Sequence, residues 1–387
     1  MNDLKPLSMR DDILPRNELG ADSAKDMPAL TIAMLNVGEG GAQRAMVNLA
    51  NHLAAQGHSI RIITAERKGT YLAHLNPSVT VAQIGPGFGR MVRLMVRELS
   101  SGSAPAILAT QIKPVLAIAI ARMIVRGPTR LVFRPPNRLN ASATSFRHAI
   151  AKKLTPFLYR KGDAFIAVSG AIAEDLANMG VERSKIFIIP NGVNMNAIAQ
   201  RSLSPVDDPW FAPGAPPVIL AMGRLTWQKG FDTLLHAMAH IRASRQDLRL
   251  MILGEGELRG DLEQLAGALG INDVVRMPGF VDNPYAYLAR ARLFVLSSRW
   301  EGSPNALLEA LACGCSVVAT DCPSGPREIL TEPAIGKLTA VDDPDELARN
   351  TLDLLNDEPN RERQQSFVAN GFGIEQWADR YTRVIFS

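Results

Sequence analysis

Pro205 to Pro217 carries five prolines in thirteen residues, at 205, 209, 213, 216 and 217, a density that no helix interior or central strand accommodates. The same alternation runs on either side of this break. Before it, short apolar runs at 30–35, 59–63, 106–109, 131–133, 165–168 and 186–189 are separated by stretches of helical spacing. After it, the pattern restarts at 218–222 and continues at 248–253, 274–277, 293–296 and 316–319. Short apolar strands alternating with helices predict parallel sheets covered on both faces and joined by right-handed crossovers. A chain of 387 residues is long enough for two such cores. The expected fold is therefore α/β, two Rossmann-like domains facing a cleft. The expected boundaries are an N-terminal arm (1–27), a first domain (28–204), the Pro-rich linker (205–217), a second domain (218–372) and a C-terminal helix (373–387).

Composition narrows the classes. Hydrophobic residues at 47% against 21% charged describe a compact globular chain. No stretch reaches the ~18 apolar residues of a membrane span; the longest, Pro114 to Val125, contains Arg122 and predicts a buried helix. Residues 1–27 lack the apolar core of a signal peptide, and three cysteines do not make a disulfide framework, so a cytoplasmic compartment is expected. Charge is uneven: residues 1–200 hold 24 Lys and Arg against 13 Asp and Glu, and the remainder 18 against 25. Between Arg90 and Arg160, 13 basic residues meet one acid, Glu98. Such a face suits an anionic membrane surface or a phosphorylated substrate. No nucleic-acid-binding motif accompanies it and aromatics for base stacking are few, so a nucleic-acid partner is not expected.

On parallel sheets, ligands sit beyond the carboxyl ends of the strands, so the loops that follow strands carry the chemistry. In the first half, Gly38-Glu39-Gly40-Gly41 leads into a helical stretch. Its spacing is not G-x-G-x-x-G, which argues against a dinucleotide dehydrogenase. In the second half, the loop Gly223-Arg224-Leu225-Thr226-Trp227-Gln228-Lys229-Gly230 sets two cations just ahead of a helix N-terminus. That combination offsets the charge of a diphosphate without a metal. A later segment, Ser297 to Ala310, places Glu301 in a loop and Glu309 more than a turn into a helix. Carboxylates accept from vicinal hydroxyls, so the pair suits a ribose and a sugar ring, and the backbone between them a phosphate. Burying two acids in so apolar a segment is costly unless they are paired.

These motifs, together with Gly254-Glu255-Gly256, Pro278-Gly279-Phe280 and Asp321-Cys322-Pro323-Ser324-Gly325-Pro326-Arg327-Glu328-Ile329, resemble those of the retaining glycosyltransferases of the GT-B fold, family four, from about Leu30 to the end of the chain. The last motif is similar to members that build bacterial surface polysaccharides. The resemblance implies transfer of a hexose or N-acetylhexosamine from a UDP-linked sugar, with retention and without a divalent metal or other cofactor. The acceptor implied is a glycan or lipid-linked diphosphate. Arg224 and Lys229 would hold the donor diphosphate, Glu301 the transferred sugar and Glu309 the ribose. Gly279 and Phe280 would lie near the base, with Gly254, Ser303, Pro304, Asn305, Ala306 and Leu307 completing the donor site. Gly40 and Gly41 would close over the phosphates or meet the acceptor, and the C-terminal helix would cross back to the first domain. Many relatives carry a histidine after the strand Leu131-Val132-Phe133; here Arg134 stands there, suited to a phosphate, an acidic acceptor or a structural role. A nucleotide-sugar binding protein without turnover is the alternative reading; a phosphorylase would need a cofactor lysine and a longer chain.

Other signals have simpler accounts. Asp343-Pro344-Asp345 matches a metal-binding D-x-D by letters, but reads as a helix cap with proline in the first turn. His236 and His240 share a helix face without a third metal ligand. Cys313, Cys315 and Cys322 are expected to fill core space.

Overall fold

Two all-parallel sheets form, each with its first-half or second-half strands in the order that reverses at the middle. The computed structural model describes residues 29–135 and 155–387, except positions 39, 67, 68, 86 and 358. The expected N-terminal arm and the basic residues from Arg138 to Lys153 lie outside the described residues. The first sheet contains β1 (Leu30–Asn36), β2 (Ile60–Glu66), β3 (Thr80–Gln83), β4 (Ala106–Thr110), β5 (Arg130–Arg134), β6 (Ala164–Ala167) and β7 (Ile186–Ile188), ordered β3-β2-β1-β4-β5-β6-β7. The second contains β8 (Val218–Met222), β9 (Arg249–Leu253), β10 (Val275–Gly279), β11 (Leu293–Leu296), β12 (Val317–Thr320) and β13 (Gly336–Thr339), ordered β10-β9-β8-β11-β12-β13. Both are doubly wound, with the switch points between β1 and β4 and between β8 and β11.

Strands at the switch points are buried throughout, as β4 and β11 show, and this produces their unbroken apolar runs. The edge strands β3 and β13 are only half-buried, have no such run, and are the two that the apolar pattern does not reveal. Helices cover both faces of each sheet. On the first, the helix Gly41–Ala55 packs one side with Met46, Leu49 and Leu53, and the helices Phe88–Ser101 and Ile112–Ile124 pack the other. Each fully buried Leu, Ile or Phe contributes roughly 1.5–3 kcal/mol over its exposed state.

The chain crosses between the halves earlier than the prolines suggest. The helix Met195–Ser202 precedes the Pro-rich stretch, yet Val193 and Ile198 belong to the second core, beside Trp210. Trp210 itself is fixed between Arg276, 4.4 Å from its ring centre, and Arg249, at 5.1 Å. The stretch 205–217 is therefore packed onto the second domain, and the prolines mark its entry rather than the hinge. The crossing point lies at Asn191 to Val193. There the returning chain runs alongside: Val193 N–H donates to Phe372 O at 2.9 Å, and Val193 bridges Gly373 in parallel. The final helix, Ile374–Phe386, then buries Ile374, Trp377, Tyr381 and Ile385 against the first sheet.

Candidate active site

The loops beyond β8, β9 and β10 are laced together by backbone. Gly223 N–H donates to Leu253 O at 2.9 Å, Gly254 N–H to Gly279 O at 2.8 Å, and Leu225 N–H to Glu255 O at 2.9 Å. Gly254 sits at φ 140°, and a Cβ there would lie 1.9 Å from Gly223 O, so only glycine lets these loops approach. The lacing fixes the backbone around Arg224, whose side chain is exposed toward the cleft.

A second clasp aligns Lys229 with Glu301. The Arg299 side chain is 8% exposed and pairs with Asp232 at 2.7 Å and Asp342 at 2.8 Å. Its guanidinium lies 3.4 Å from the Trp227 ring centre and donates to Trp227 O at 2.8 Å. Arg299 N–H donates to Gln228 O, the Gln228 amide to Trp300 O, and the Ser297 hydroxyl to Lys229 O, each at 2.8–2.9 Å. Two loops far apart in sequence are thus tied together. Lys229 Nζ stands 2.6 Å from Glu301 Oε1, and Ser298 donates to the same oxygen at 2.6 Å. Glu301 is buried, and its backbone carbonyl accepts from Ser324 of the Asp321–Ile329 motif.

Glu309 stands on the helix Asn305–Ala312, built from strong helix formers and closed by Gly314 N–H to Leu311 O and Cys315 N–H to Ala310 O. It is 5% exposed. Burial pushes its carboxyl above the ordinary range, and the nearby Arg44 and Arg201 pull it back in part. Arg44 NH1 is 2.9 Å from Glu309 Oε1 and reaches it from the first domain. The sequence patterns did not single out Arg44 or Arg201; a cation three places after the Gly40–Gly41 pair was the available signal for the former.

Arg134 is 2% exposed and joins the seam between the halves. Its Nε donates to the Tyr381 hydroxyl at 3.0 Å and its NH2 to Asn191 Oδ1 at 2.8 Å. Asn191 in turn donates its backbone N–H to Ser303 Oγ at 2.9 Å and its amide to Asn305 Oδ1 at 2.7 Å. Asn305 donates to Gly41 O at 3.1 Å. A continuous polar chain therefore runs from the C-terminal helix through both halves to the glycine loop. Asn191, at the crossing point, gave no sequence signal.

These groups surround a cleft of about 620 Å³ between the halves, of a size that holds a small-molecule ligand. Gly40, Gly41, Arg134, Arg224, Lys229, Gly254, Phe280, Glu301, Ser303, Pro304, Asn305, Ala306 and Glu309 all line it. Gly279 and Leu307 do not: Gly279 is held behind Gly254 by the backbone bond above, and Leu307 is fully buried in the core. Phe280, 56% exposed, forms an apolar wall where a base could rest. Outside the cleft, Asp343 accepts from Glu346 N–H at 2.8 Å, with Pro344 in the first turn, so that D-x-D sequence is a helix cap. His240 pairs with Asp345 at 2.8 Å, and the three cysteines are buried and unpaired. Among the described residues no helix is long and apolar enough to cross a membrane.

Residues 207–371 match the family model for glycosyl transferases group 1, and residues 39–197 that for glycosyltransferase family 4. The chain is 32% identical over 249 residues to an N-acetylgalactosaminyltransferase of Campylobacter jejuni acting on a diphospho-undecaprenol-linked saccharide, covering 63% of this chain and 65% of that one. It is 30% identical over 233 residues to the lipopolysaccharide core biosynthesis glycosyltransferase LpsE of Rhizobium meliloti, covering 59% and 66%. The chain thus spans just under two thirds of these relatives. Among solved structures, Anabaena HepE in complex with UDP and glucose superposes with a TM-score of 0.76 at 18% identity, covering 93% of this chain and all of that one.

Proposed function

Because this chain belongs to family 4 of the GT-B glycosyltransferases, we propose that it transfers a hexose or N-acetylhexosamine from a UDP-linked sugar to a surface glycan or lipid-linked diphosphate acceptor, with retention and without a divalent metal. The observation that carries this reading is the Lys229–Glu301 pair at 2.6 Å on the cleft wall, with Arg224 beside it. In the reaction, the bond between the anomeric carbon and the diphosphate oxygen breaks while Arg224 and Lys229 offset the charge gathering on the departing nucleoside diphosphate. The acceptor oxygen bonds to the same face of the sugar, and its proton passes to the leaving diphosphate, so no protein base is required. Glu301 orients the sugar, Glu309 the ribose, and Phe280 the base.

The acceptor belongs on the first domain. Arg90, Arg93 and Arg97 stand exposed along the helix Phe88–Ser101, beside an exposed Phe88. A row of cations with an apolar tip suits the anionic inner face of a cytoplasmic membrane, where a lipid-linked acceptor would be presented. Salt-sensitive flotation with anionic vesicles tests that part; absence of binding at low salt would remove it.

The test of the reaction is incubation with a panel of UDP-, GDP- and ADP-sugars and a polyprenyl-diphosphate-linked saccharide, with and without EDTA, followed by NMR of the product. An α-linked product from an α-linked donor, formed in EDTA, is the expected result. Inversion, loss of product in EDTA that excess divalent metal restores, or binding without any product would each overturn the corresponding part.

A further inference from the structure

We propose that Arg44 is a positioning residue for the donor nucleotide: reaching over from the first domain, it keeps Glu309 charged and able to accept from the vicinal hydroxyls of the ribose. The proposal rests on the donor-site reading above and deepens it. Among the described residues, no second-domain cation makes a direct ion pair with Glu309. Glu309 is buried in a helix whose neighbours are Leu307, Leu308, Ala310 and Leu311. A carboxyl left alone in such surroundings takes up a proton and becomes a poorer acceptor.

The charged and titratable groups that face Glu309 come from each element packed around it. Arg44, on the helix Gly41–Ala55, makes the direct contact at 2.9 Å to Oε1. Arg201, on the helix Met195–Ser202, acts from further away and is itself held by Asp282 at 2.9 Å. Tyr285 lies between these cations, with the Arg44 and Arg201 guanidiniums 5.3 and 5.4 Å from its ring centre. The Cys313 thiol follows the end of the helix that carries Glu309 and is pushed up to about 12 by burial, so it stays neutral. Arg44 is thus the one cation among them that touches Glu309 and belongs to the first domain. Its guanidinium also lies over the Tyr285 ring, a stacked contact that a lysine would not reproduce fully. The counter-ion of a second-domain carboxylate is thus supplied by the first domain.

The experiment is calorimetric titration of the full chain with UDP and with 2′,3′-dideoxyuridine diphosphate between pH 6 and 9. The proteins are wild type, Arg44→Met, Arg44→Lys, Glu309→Gln and the Arg44→Met/Glu309→Gln pair. Arg44→Met is expected to weaken UDP about tenfold or more at pH 7, to recover with rising pH as Glu309 ionises, and to leave the dideoxy analogue unchanged. Arg44→Lys should restore part of the affinity. In the Glu309→Gln background, Arg44→Met should have no further effect, which separates positioning from a fold defect. Equal losses for both nucleotides, a flat pH profile, or additive losses in the double variant would overturn the proposal while leaving the donor site standing. Wild type that binds neither nucleotide would overturn both.

Discussion

Lys229 Nζ and Glu301 Oε1 stand 2.6 Å apart although 72 positions separate them, and the lysine ammonium is already shared with a buried carboxylate before any diphosphate arrives. Glu301 therefore both faces the cleft and tethers the cation expected to meet the leaving group. Lys229→Ala should raise the nucleotide Kd and depress turnover together, since it would remove a contact made in both ground and transition states. Glu301→Gln should depress turnover by about 10²–10³ while nucleotide affinity changes far less. Steady-state kinetics beside calorimetric UDP binding separate the two. A fully active Glu301→Ala would mean that the sugar sits elsewhere.

Arg299 holds the two loops that bring that pair together. Its replacement by methionine keeps the aliphatic stem over Trp227 but removes the bonds to Asp232, Asp342 and the Trp227 carbonyl. The abandoned aspartates are partly exposed and can rehydrate, so the expected loss is about 1.5–3 kcal/mol rather than that of a sealed ion pair. Urea unfolding should register this as a lower midpoint at unchanged slope. An unchanged midpoint would show that the Trp227 loop is held by the remaining backbone bonds alone.

Tyr381 gives Arg134 its partner on the C-terminal helix, and the pair is buried from both sides. Tyr381→Phe keeps the shape and leaves the Arg134 Nε donor without that acceptor, at an expected cost of about 1–3 kcal/mol. Thermal unfolding measures it. If Arg134 instead serves a phosphate or an acidic acceptor, Tyr381→Phe would change acceptor KM more than the unfolding temperature.

Gly41→Ala offers a prediction whose sign opposes the usual rule. At an ordinary helix position the change would stabilise by up to about 1 kcal/mol. Here the new Cβ would lie 2.8 Å from Asn305 Nδ2, and Asn305 is held by Asn191 at 2.7 Å. The seam must give way. Small-angle scattering should show a more open chain and calorimetry a weaker grip on UDP, with the helical content unchanged. A closed, fully binding variant would show that Asn305 has slack.

Much of this architecture was legible because central parallel strands are buried on both faces and so spell out their positions in Val, Ile, Leu and Ala, as 218–222 and 293–296 do. β3 and β13 escaped because an edge strand need not be apolar. Glu301 and Lys229 could be found because a buried acid and a loop cation are conspicuous in apolar surroundings. Asn191, Arg44 and Tyr381 could not. Their roles arise from where the chain crosses between halves, and nothing local in the sequence records that Asn191 will meet Ser303, 112 positions on. The prolines misled for a related reason: they mark where packing onto the second domain tightens around Trp210, whereas the crossing itself occurs at an unremarkable Asn-Gly-Val.

Glu309 sets the expected pH dependence. Burial holds its folded-state carboxyl above the ordinary value near 4.5, with Arg44 and Arg201 only partly offsetting this. The folded protein therefore binds this proton more tightly than the unfolded chain does. Stability from this group is present in full below the unfolded value and is lost as pH rises through the folded one. Glu309→Gln escapes the loss, so its unfolding temperature should match wild type near pH 4 and exceed it increasingly as pH rises, levelling once wild-type Glu309 has ionised. Arg44 is partly exposed, at 23%, and can turn to water when its partner becomes neutral. The same variant should bind UDP more weakly than wild type at neutral pH, because a neutral amide accepts less strongly from a ribose hydroxyl than a carboxylate. A more stable, weaker-binding protein is the signature of a charge kept in an apolar helix for its ligand. A Glu309→Gln protein less stable than wild type above pH 6 would show instead that the Arg44 ion pair outweighs the burial it requires.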